Sequence, residues 1–171
     1  MINASYLFVA LTAVAGCLHD LWNRRIPNYL TFGSAVLAVV YAGLTSGWPG
    51  VGAGVAGWIL GVALFLPFFA LRGMGAGDVK LLAALGAWVG PVELLTLTFY
   101  TAIVGGVMAL IVVIWKRRLA ETFGNVGLLL CTWRVGGVKP VTELSLDNKN
   151  SARLAYGVPI AIGALLTIWL R

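Results

Sequence analysis

Six apolar runs, separated by short polar segments, limit what this chain can fold into. They cover residues 2–18, 29–46, 52–71, 79–90, 93–115 and 154–170. A helix that crosses a bilayer needs about 20 apolar residues, and most of these runs approach that length. Charged residues make up only 11% of the chain, far fewer than in a soluble globular domain. The sequence therefore predicts an all-α, polytopic integral membrane protein.

The distribution of basic residues indicates how many runs cross the bilayer. If all six cross, the segments 19–28, 72–80 and 116–153 share one side, and they contain every lysine and arginine except Arg171. If 79–90 failed to cross, the basic cluster at 116–118 would fall on the outer side, against the positive-inside rule. We therefore expect six transmembrane helices, with both termini outside.

The fourth run is short for a membrane span. Residues 79–90 would form about 18 Å of helix, against a hydrocarbon core of about 30 Å. Such a short span is tolerated where the non-helical segment before it is buried in protein or lines a water-filled cavity. The glycine-rich segment 73–80 leads into this run and is predicted to be that non-helical segment.

The segment 116–153 is the only sizeable aqueous part of the chain. Its apolar residues recur near helical spacing among basic and polar ones, which predicts an amphipathic helix on the membrane surface. We expect residues 1–171 to form a single membrane-embedded domain, with 116–153 as a cytoplasmic loop.

Two of the six acidic residues lie at the cytoplasmic ends of predicted spans. Asp20 ends the first run and Asp78 opens the fourth, so the two carboxylates could meet at a common depth. Two carboxylates that meet share a proton, because they repel when both are ionised. One can then take a proton from a water molecule while the other polarises a scissile carbonyl. The pattern predicts an aspartic protease with Asp20 and Asp78 as its catalytic pair.

Structural explanations exist for the same residues. Asp78 follows a glycine and precedes a helical run, so it could be a helix N-cap, and Asp20 could pair with Arg24 or Arg25 near the surface. The glycines of the segment 73–77 either adopt conformations closed to other residues and admit a substrate backbone, or allow tight helix packing. The residues alone leave these alternatives open.

Metal and nucleic-acid chemistry find little support in the sequence. His19 is the single histidine, and the two cysteines, Cys17 and Cys131, form no CxxC motif. Cys17 lies within one turn of Asp20 and is expected to be a small core residue. The basic residues occur in short clusters between apolar runs rather than in one stripe. We expect no cofactor, no metal and no nucleic-acid partner.

Three motifs in the chain resemble those of one enzyme family. Gly75-Ala76-Gly77-Asp78-Val79-Lys80 resembles the GxGD motif of polytopic aspartic proteases, and Asp20 followed by Ile26-Pro27-Asn28 resembles the first catalytic aspartate and IPN signature of the type IV prepilin peptidases. The run from Tyr156 to Gly163 is similar to the motif in the last span of that family.

The resemblance implies an endopeptidase of the inner membrane that removes the basic leader of prepilins or pseudopilins at the cytoplasmic face. Asp20 and Asp78 carry over as the catalytic pair, with Gly75, Gly77 and Lys80 as supporting residues. The chain lacks the large insertion with paired CxxC motifs found in the long, bifunctional members, so N-methyltransferase activity is not expected. The short form resembles the peptidases of tight-adherence (Flp) pilus systems, although archaeal preflagellin peptidases are short as well.

A second function class fits the same charges. A small transporter or channel subunit could use Asp20, Asp78 and Lys80 to handle protons or cations. The acids cluster at one face rather than at the midplane, and the chain shows no inverted repeat, both of which favour the peptidase.

Overall fold

The chain is mostly helical in the part that the structure, a computed structural model, describes. The described residues are 4–71, 73–115, 124 and 155–170, and outside the helices they form only turns and connecting segments. The helices are α1 (Ala4–Asn23), α2 (Asn28–Ala70), α3 (Ala76–Trp115) and α4 (Gly157–Trp169). The predicted all-α class is confirmed. The surface helix predicted within 116–153 falls outside the described residues, apart from the single residue Gly124.

Two glycines break the long helices. Gly47 in α2 has φ 64° and Gly90 in α3 has φ 79°, a backbone region that favours glycine. A proline follows each of them closely, Pro49 and Pro91, and proline cannot donate the hydrogen bond that continues a helix. Each long helix therefore consists of two arms that meet at a glycine.

The arms fold back on each other. A Cβ atom placed on Gly54 would lie 3.4 Å from Val39 Cγ2, although these positions would be about 22 Å apart along a straight helix. In the same way, a Cβ atom on Gly86 would lie 2.8 Å from Leu94 Cδ2 across the break at Gly90. Both helices are therefore hairpins.

The six predicted apolar runs occupy four helices. The runs 29–46 and 52–71 both lie in α2, and the runs 79–90 and 93–115 both lie in α3. Among the described residues, α1, α2 and α3 are long and apolar enough to span a membrane, while α4 is a shorter apolar helix. The structure thus shows three membrane-capable helices and does not confirm six separate spans, although the arms defined by Gly47 and Gly90 correspond to the predicted runs.

The first arm of α3 lies at the centre of the core. Leu81, Leu82 and Leu85 are fully buried there and belong to one cluster with side chains from α1, α2 and α4. Small residues let the neighbouring backbone approach closely. A Cβ atom on Gly61 of α2 would lie 2.6 Å from Ala83 Cα, and one on Gly57 would collide with the carbonyl oxygen of Gly86. Such close backbone contact is typical of packing between helices in membranes.

A small polar network ties three helices together inside the apolar bundle. The hydroxyl groups of Thr12 in α1 and Ser34 in α2 share a hydrogen bond of 2.8 Å. The indole N–H of Trp88 in α3 donates to the same Ser34 oxygen, also at 2.8 Å. Hydrogen bonds between helices within a bilayer contribute about 0.6–2 kcal/mol each, so this network adds directional contacts to packing by small residues.

The outer surface is apolar and carries tryptophan at the helix ends. Trp22, Trp48, Trp115 and Trp169 are 79%, 86%, 84% and 80% exposed. Trp22, Trp115 and Trp169 lie at the last turns of α1, α3 and α4, and Trp48 follows the break at Gly47. Tryptophan concentrates at membrane–water interfaces, which is the placement expected if these ends reach the bilayer surface.

The contact between α2 and α3 generates a prediction about stability. Gly57→Ala adds a methyl group against the Gly86 backbone and should lower the free energy of unfolding by about 1–3 kcal/mol. The matched control is Gly52→Ala in the same helix, where a Cβ atom meets nothing within 4 Å. It should be neutral or stabilising by about 0.5–1 kcal/mol, because alanine favours the helix. Unfolding in detergent micelles measures both, and equal effects would contradict the packing described.

Candidate active site

The glycine-rich segment between α2 and α3 sets the position of Asp78. The Gly73 N–H donates to the Phe68 carbonyl oxygen at 2.9 Å, which closes the end of α2. The N–H groups of Asp78 and Val79 then donate to the Gly75 carbonyl oxygen at 3.2 and 3.4 Å, which opens α3. The side chain of Asp78 is buried where this helix begins.

Asp78 is not the N-cap considered from the sequence. The helix begins at Ala76, so Asp78 is its third residue and lies in the first turn. Its carboxylate is hydrogen-bonded to the backbone of Gly75, an arrangement like that of a capping box. The helix starts earlier than the apolar run because Ala76 and Gly77 can adopt helical geometry although neither carries a large apolar side chain.

The glycines of this segment act through their lack of a side chain. Among the described glycines only Gly47 and Gly90 have positive φ. The prediction that Gly73, Gly75 and Gly77 adopt backbone conformations closed to other residues is therefore wrong. Gly77 instead faces Ile26 closely, since a Cβ atom there would lie 3.2 Å from Ile26 Cβ. A Cβ atom on Gly75 would lie 3.1 Å from Asp78 Oδ2. The structure thus supports close packing at Gly77, and the approach of a substrate backbone to Asp78 stays a prediction.

Asp20 occupies the last turn of α1 and is buried rather than at the surface. The Arg24 N–H donates to the Asp20 carbonyl oxygen at 3.0 Å, and Arg24 itself has φ 52°, a left-handed conformation typical of a helix end. The Asp20 carboxylate accepts a hydrogen bond of 2.9 Å from the N–H of Gly157, the first residue of α4. This carboxylate is therefore buried and hydrogen-bonded to the start of α4.

The structure buries both candidate carboxylates within electrostatic range of each other. Asp20 and Asp78 are 9% and 8% exposed, and their carboxylates interact electrostatically. Tyr156 is partly buried beside them, and its hydroxyl group interacts electrostatically with the Asp78 carboxylate. The result is a pair of buried acids between the ends of α1, α3 and α4. A water molecule held between two such groups could be activated by one and directed by the other.

Lys80 follows Asp78 by two residues in α3 and makes two contacts with α2. Its Nζ donates to Asn28 Oδ1 at 2.9 Å and lies 5.6 Å from the centre of the Phe32 ring. These contacts join the glycine-rich segment to the Ile26-Pro27-Asn28 segment, which also meets it through Gly77. The three sequence motifs therefore converge on one site.

Two recesses adjoin the contact between Lys80 and Asn28. A cavity of about 410 Å³ is lined by His19, Arg25, Asn28 and Tyr29 with three neighbouring residues, and it is mostly open to the exterior. An apolar groove of about the same volume begins at Phe32 and runs between the two arms of α2 to Trp58. The first recess is lined by polar and apolar side chains and the second by apolar ones, and neither is lined by Asp20 or Asp78.

The other candidate groups lie apart from the pair or are structural. Glu93 accepts a hydrogen bond of 3.0 Å from the Tyr6 hydroxyl group, which links the second arm of α3 to α1. Cys17 is half-buried and packs against the core, as expected. Cys131 falls outside the described residues. Within the described part of the chain no three His, Cys, Asp or Glu side chains are grouped so that they could hold a metal ion.

Two groups at the site were not singled out from the sequence. The Gly157 amide and the Tyr156 hydroxyl group belong to the third motif, which the resemblance placed in the last span without assigning a role to either residue. This motif could have pointed to Tyr156 as a residue near the site. No sequence signal marks a backbone amide, because every residue except proline carries one.

Comparison with known proteins identifies the family. Residues 7–110 match the model of the type IV leader peptidase family, and this range contains both Asp20 and Asp78. No solved structure matches the chain significantly.

Three relatives are each named prepilin leader peptidase/N-methyltransferase. The one from Neisseria gonorrhoeae is 41% identical over 61 residues, which cover 36% of this chain and 21% of that protein. Those from Xanthomonas campestris pv. campestris and Aeromonas hydrophila are 32% identical over 127 and 120 residues, covering 68% and 67% of this chain. The matches cover 42% and 40% of those two proteins, so the chain spans about two fifths of their length. The match over most of its helical part shows that the chain belongs to the type IV leader peptidase family.

Proposed function

We propose that this protein is an aspartic endopeptidase of the inner membrane that removes the leader from type IV prepilins or pseudopilins, of the Flp type, at the cytoplasmic face. The observation that carries the proposal is the burial of Asp20 and Asp78 within electrostatic range of each other in a chain of the type IV leader peptidase family. Family membership also favours this function over proton or cation transport by Asp20, Asp78 and Lys80.

The proposed reaction needs two carboxyl groups and one water molecule. One of the pair, ionised, takes a proton from the water, whose oxygen attacks the scissile carbonyl carbon. The other, protonated, donates a hydrogen bond to the carbonyl oxygen as negative charge develops there. When the tetrahedral intermediate collapses, the bond to the amide nitrogen breaks and that nitrogen receives a proton from the pair. No cofactor takes part in this scheme.

The supporting residues hold the geometry of the pair in this proposal. Gly75 supplies the backbone contact of Asp78, and Gly77 allows α3 to approach the segment that follows Asp20. Lys80 is held by Asn28 and Phe32, so we assign it to the wall of the site rather than to proton transfer. The proposal covers hydrolysis only. N-methylation, which the relatives' names include, is not proposed for a chain whose two cysteines are Cys17 and Cys131.

The membrane arrangement in this proposal has six crossings within one domain spanning residues 1–171. A straight helix as long as α2, with 43 residues, would measure about 65 Å, twice the hydrocarbon thickness of a bilayer. Because the chain turns back at Gly47 and at Gly90, the arms of α2 and α3 supply four crossings, and α1 and α4 supply one each. The basic segments then lie in the cytoplasm, and the ends of α1 and α3 that carry Asp20 and Asp78 lie on that side.

The topology can be tested by cysteine labelling of intact cells. In a background with Cys17→Ser and Cys131→Ser, a membrane-impermeant maleimide should label Trp48→Cys in intact cells. It should label Arg25→Cys only after the inner membrane is opened. Both native side chains are exposed, so accessibility within the protein does not limit either reaction. The reverse labelling pattern would place the site on the outer face and would contradict the proposal.

Removal of either catalytic charge should abolish cleavage. We expect Asp78→Asn and Asp20→Asn each to lower the rate of leader removal by about 10²–10⁴-fold, because the amide cannot exchange a proton as a carboxyl group does. Asparagine keeps the size and hydrogen-bond acceptor of the side chain, so the helix ends should form normally. Reconstituted enzyme and a purified prepilin, followed by the mass change of the product, measure the rate.

Glu93→Gln is the matched control for this experiment. It neutralises another carboxylate of α3, one that accepts a hydrogen bond from the Tyr6 hydroxyl group in α1. This variant should cleave at close to the original rate. An Asp78→Asn enzyme that inserts normally and still cleaves the prepilin would show that Asp78 has a structural role only, and the two-carboxylate mechanism would then be wrong.

Lys80 is expected to matter less than the carboxylates. Lys80→Ala removes the contacts with Asn28 and Phe32 and should slow cleavage by less than about tenfold, the size of effect expected from losing one exposed hydrogen bond. Asn28→Ala should slow it to a similar extent, and the double variant should be little slower than either single one. Complete loss of cleavage in folded Lys80→Ala enzyme would place Lys80 in the reaction itself.

A further inference from the structure

The third sequence motif has no role in the two-carboxylate chemistry, yet it contacts the site. Gly157 opens α4, and its N–H donates to Asp20 Oδ2 at 2.9 Å in a buried position. The two residues are 137 positions apart in the chain, so this bond joins the first helix to the last. Tyr156, directly before it, interacts electrostatically with Asp78. The start of α4 therefore contacts Asp20 and lies within electrostatic range of Asp78.

The Gly157 amide is free to make this bond because of where it lies. The first N–H groups of an α-helix have no partner within the helix, and they project outward beyond its N-terminus. In α4 the Ile160 N–H already donates to the Tyr156 carbonyl oxygen at 3.2 Å, whereas the Gly157 N–H points to Asp20. A hydrogen bond between a backbone N–H and a carboxylate is among the stronger ones in proteins, and here it is shielded from water.

The position also requires glycine. A Cβ atom on Gly157 would lie 2.9 Å from Asp20 Cβ, 3.0 Å from Asp20 Oδ2 and 3.1 Å from the Cys17 backbone at Cα. Two of these atoms belong to the stiff part of α1, so the contact could not be relieved by turning a flexible side chain. Any larger residue would separate α4 from the turn of α1 that carries Asp20.

Asp20 needs an external anchor more than Asp78 does. Asp78 lies in the first turn of a long helix and is held by the Gly75 backbone of its own segment. Asp20 lies in the last turn of α1, four residues before the left-handed Arg24 that ends the helix. Helix ends fray, and the C-terminal end of a helix disfavours a negative charge. The hydrogen bond from the start of α4 limits fraying at Asp20 and stabilises its negative charge.

We propose that Gly157 is a positioning residue, which holds the Asp20 carboxylate against Asp78 through its backbone N–H and through the absence of a side chain. The proposal rests on the function proposed above for the two carboxylates. It goes beyond that function by assigning the start of the last helix to the geometry of the site rather than to packing alone. A displacement of a reacting group by about 1 Å can lower a rate by about 100-fold, which sets the size of effect expected.

Hydrogen exchange tests the contact without any assay of activity. In protein labelled with ¹⁵N-glycine, the Gly157 amide should exchange slowly, although an amide at that helix position ordinarily exchanges fast. Asp20→Ala should speed its exchange by at least about tenfold, while the amide of Gly163, inside the same helix, should change little. Equal exchange at Gly157 in the two proteins would overturn the proposal, even if Gly157 variants fold poorly.

Kinetics then separates positioning from packing. Gly157→Ala should lower kcat by about 100-fold and change KM by less than about threefold, because the group displaced acts on bound substrate. The control is Gly163→Ala in the same helix, whose added methyl group would collide with Thr101 on α3 and not with Asp20. It should lower thermal stability while kcat per folded enzyme stays within about threefold.

The outcomes distinguish the two proposals. If the unaltered enzyme cleaves no prepilin, the proposed function fails, and the exchange result still decides whether Gly157 holds Asp20. If the unaltered enzyme cleaves and Gly157→Ala keeps its kcat, the positioning role is wrong while the proposed function stands. If Gly157→Ala and Gly163→Ala lose kcat and stability in parallel, α4 contributes packing only and the positioning role is likewise wrong.

Discussion

Two carboxylates buried in an apolar helical bundle must find hydrogen-bond donors, because a buried charge without partners is strongly destabilising. The apolar side chains around them offer none. Backbone N–H groups are free only where helices begin, and these supply the donors: Gly157 for Asp20 and the Gly75 backbone for Asp78. This need explains why both acids lie at helix ends and why α3 and α4 begin beside the end of α1.

Close packing makes those helix ends meet. Glycine in α2 contacts the backbone of α3, and further glycines bring the start of α3 against Ile26 and the start of α4 against Asp20. Each contact would be lost with a larger side chain, so the same residue type that allows helices to associate in a membrane also sets the site. The polar network around Ser34 holds α1, α2 and α3 together below it. The same glycine contacts therefore pack the helices and set the positions of the two carboxylates.

Much of the fold and part of the site could be predicted from local patterns. Apolar runs predicted the helices, and the small set of acidic residues pointed to Asp20 and Asp78, whose catalytic role stays a prediction. The sequence did not predict that two pairs of runs would each be joined at a single glycine with positive φ, as they are in α2 and α3. Asp78 was considered as an N-cap, whereas the helix begins at Ala76, since small residues before an apolar run can join its helix.

The sequence by itself determined the all-helical class, the approximate helix positions and the family's motifs, because hydropathy and residue type act over short stretches of chain. Only the tertiary structure decided which ends meet: the Lys80 contact with Asn28, the approach of Gly77 to Ile26 and the bond from Gly157 to Asp20. The physical reason is that these contacts depend on helix packing across long separations in the chain. The decisive donor is moreover a backbone N–H, a group common to nearly all residues, which no sequence pattern distinguishes.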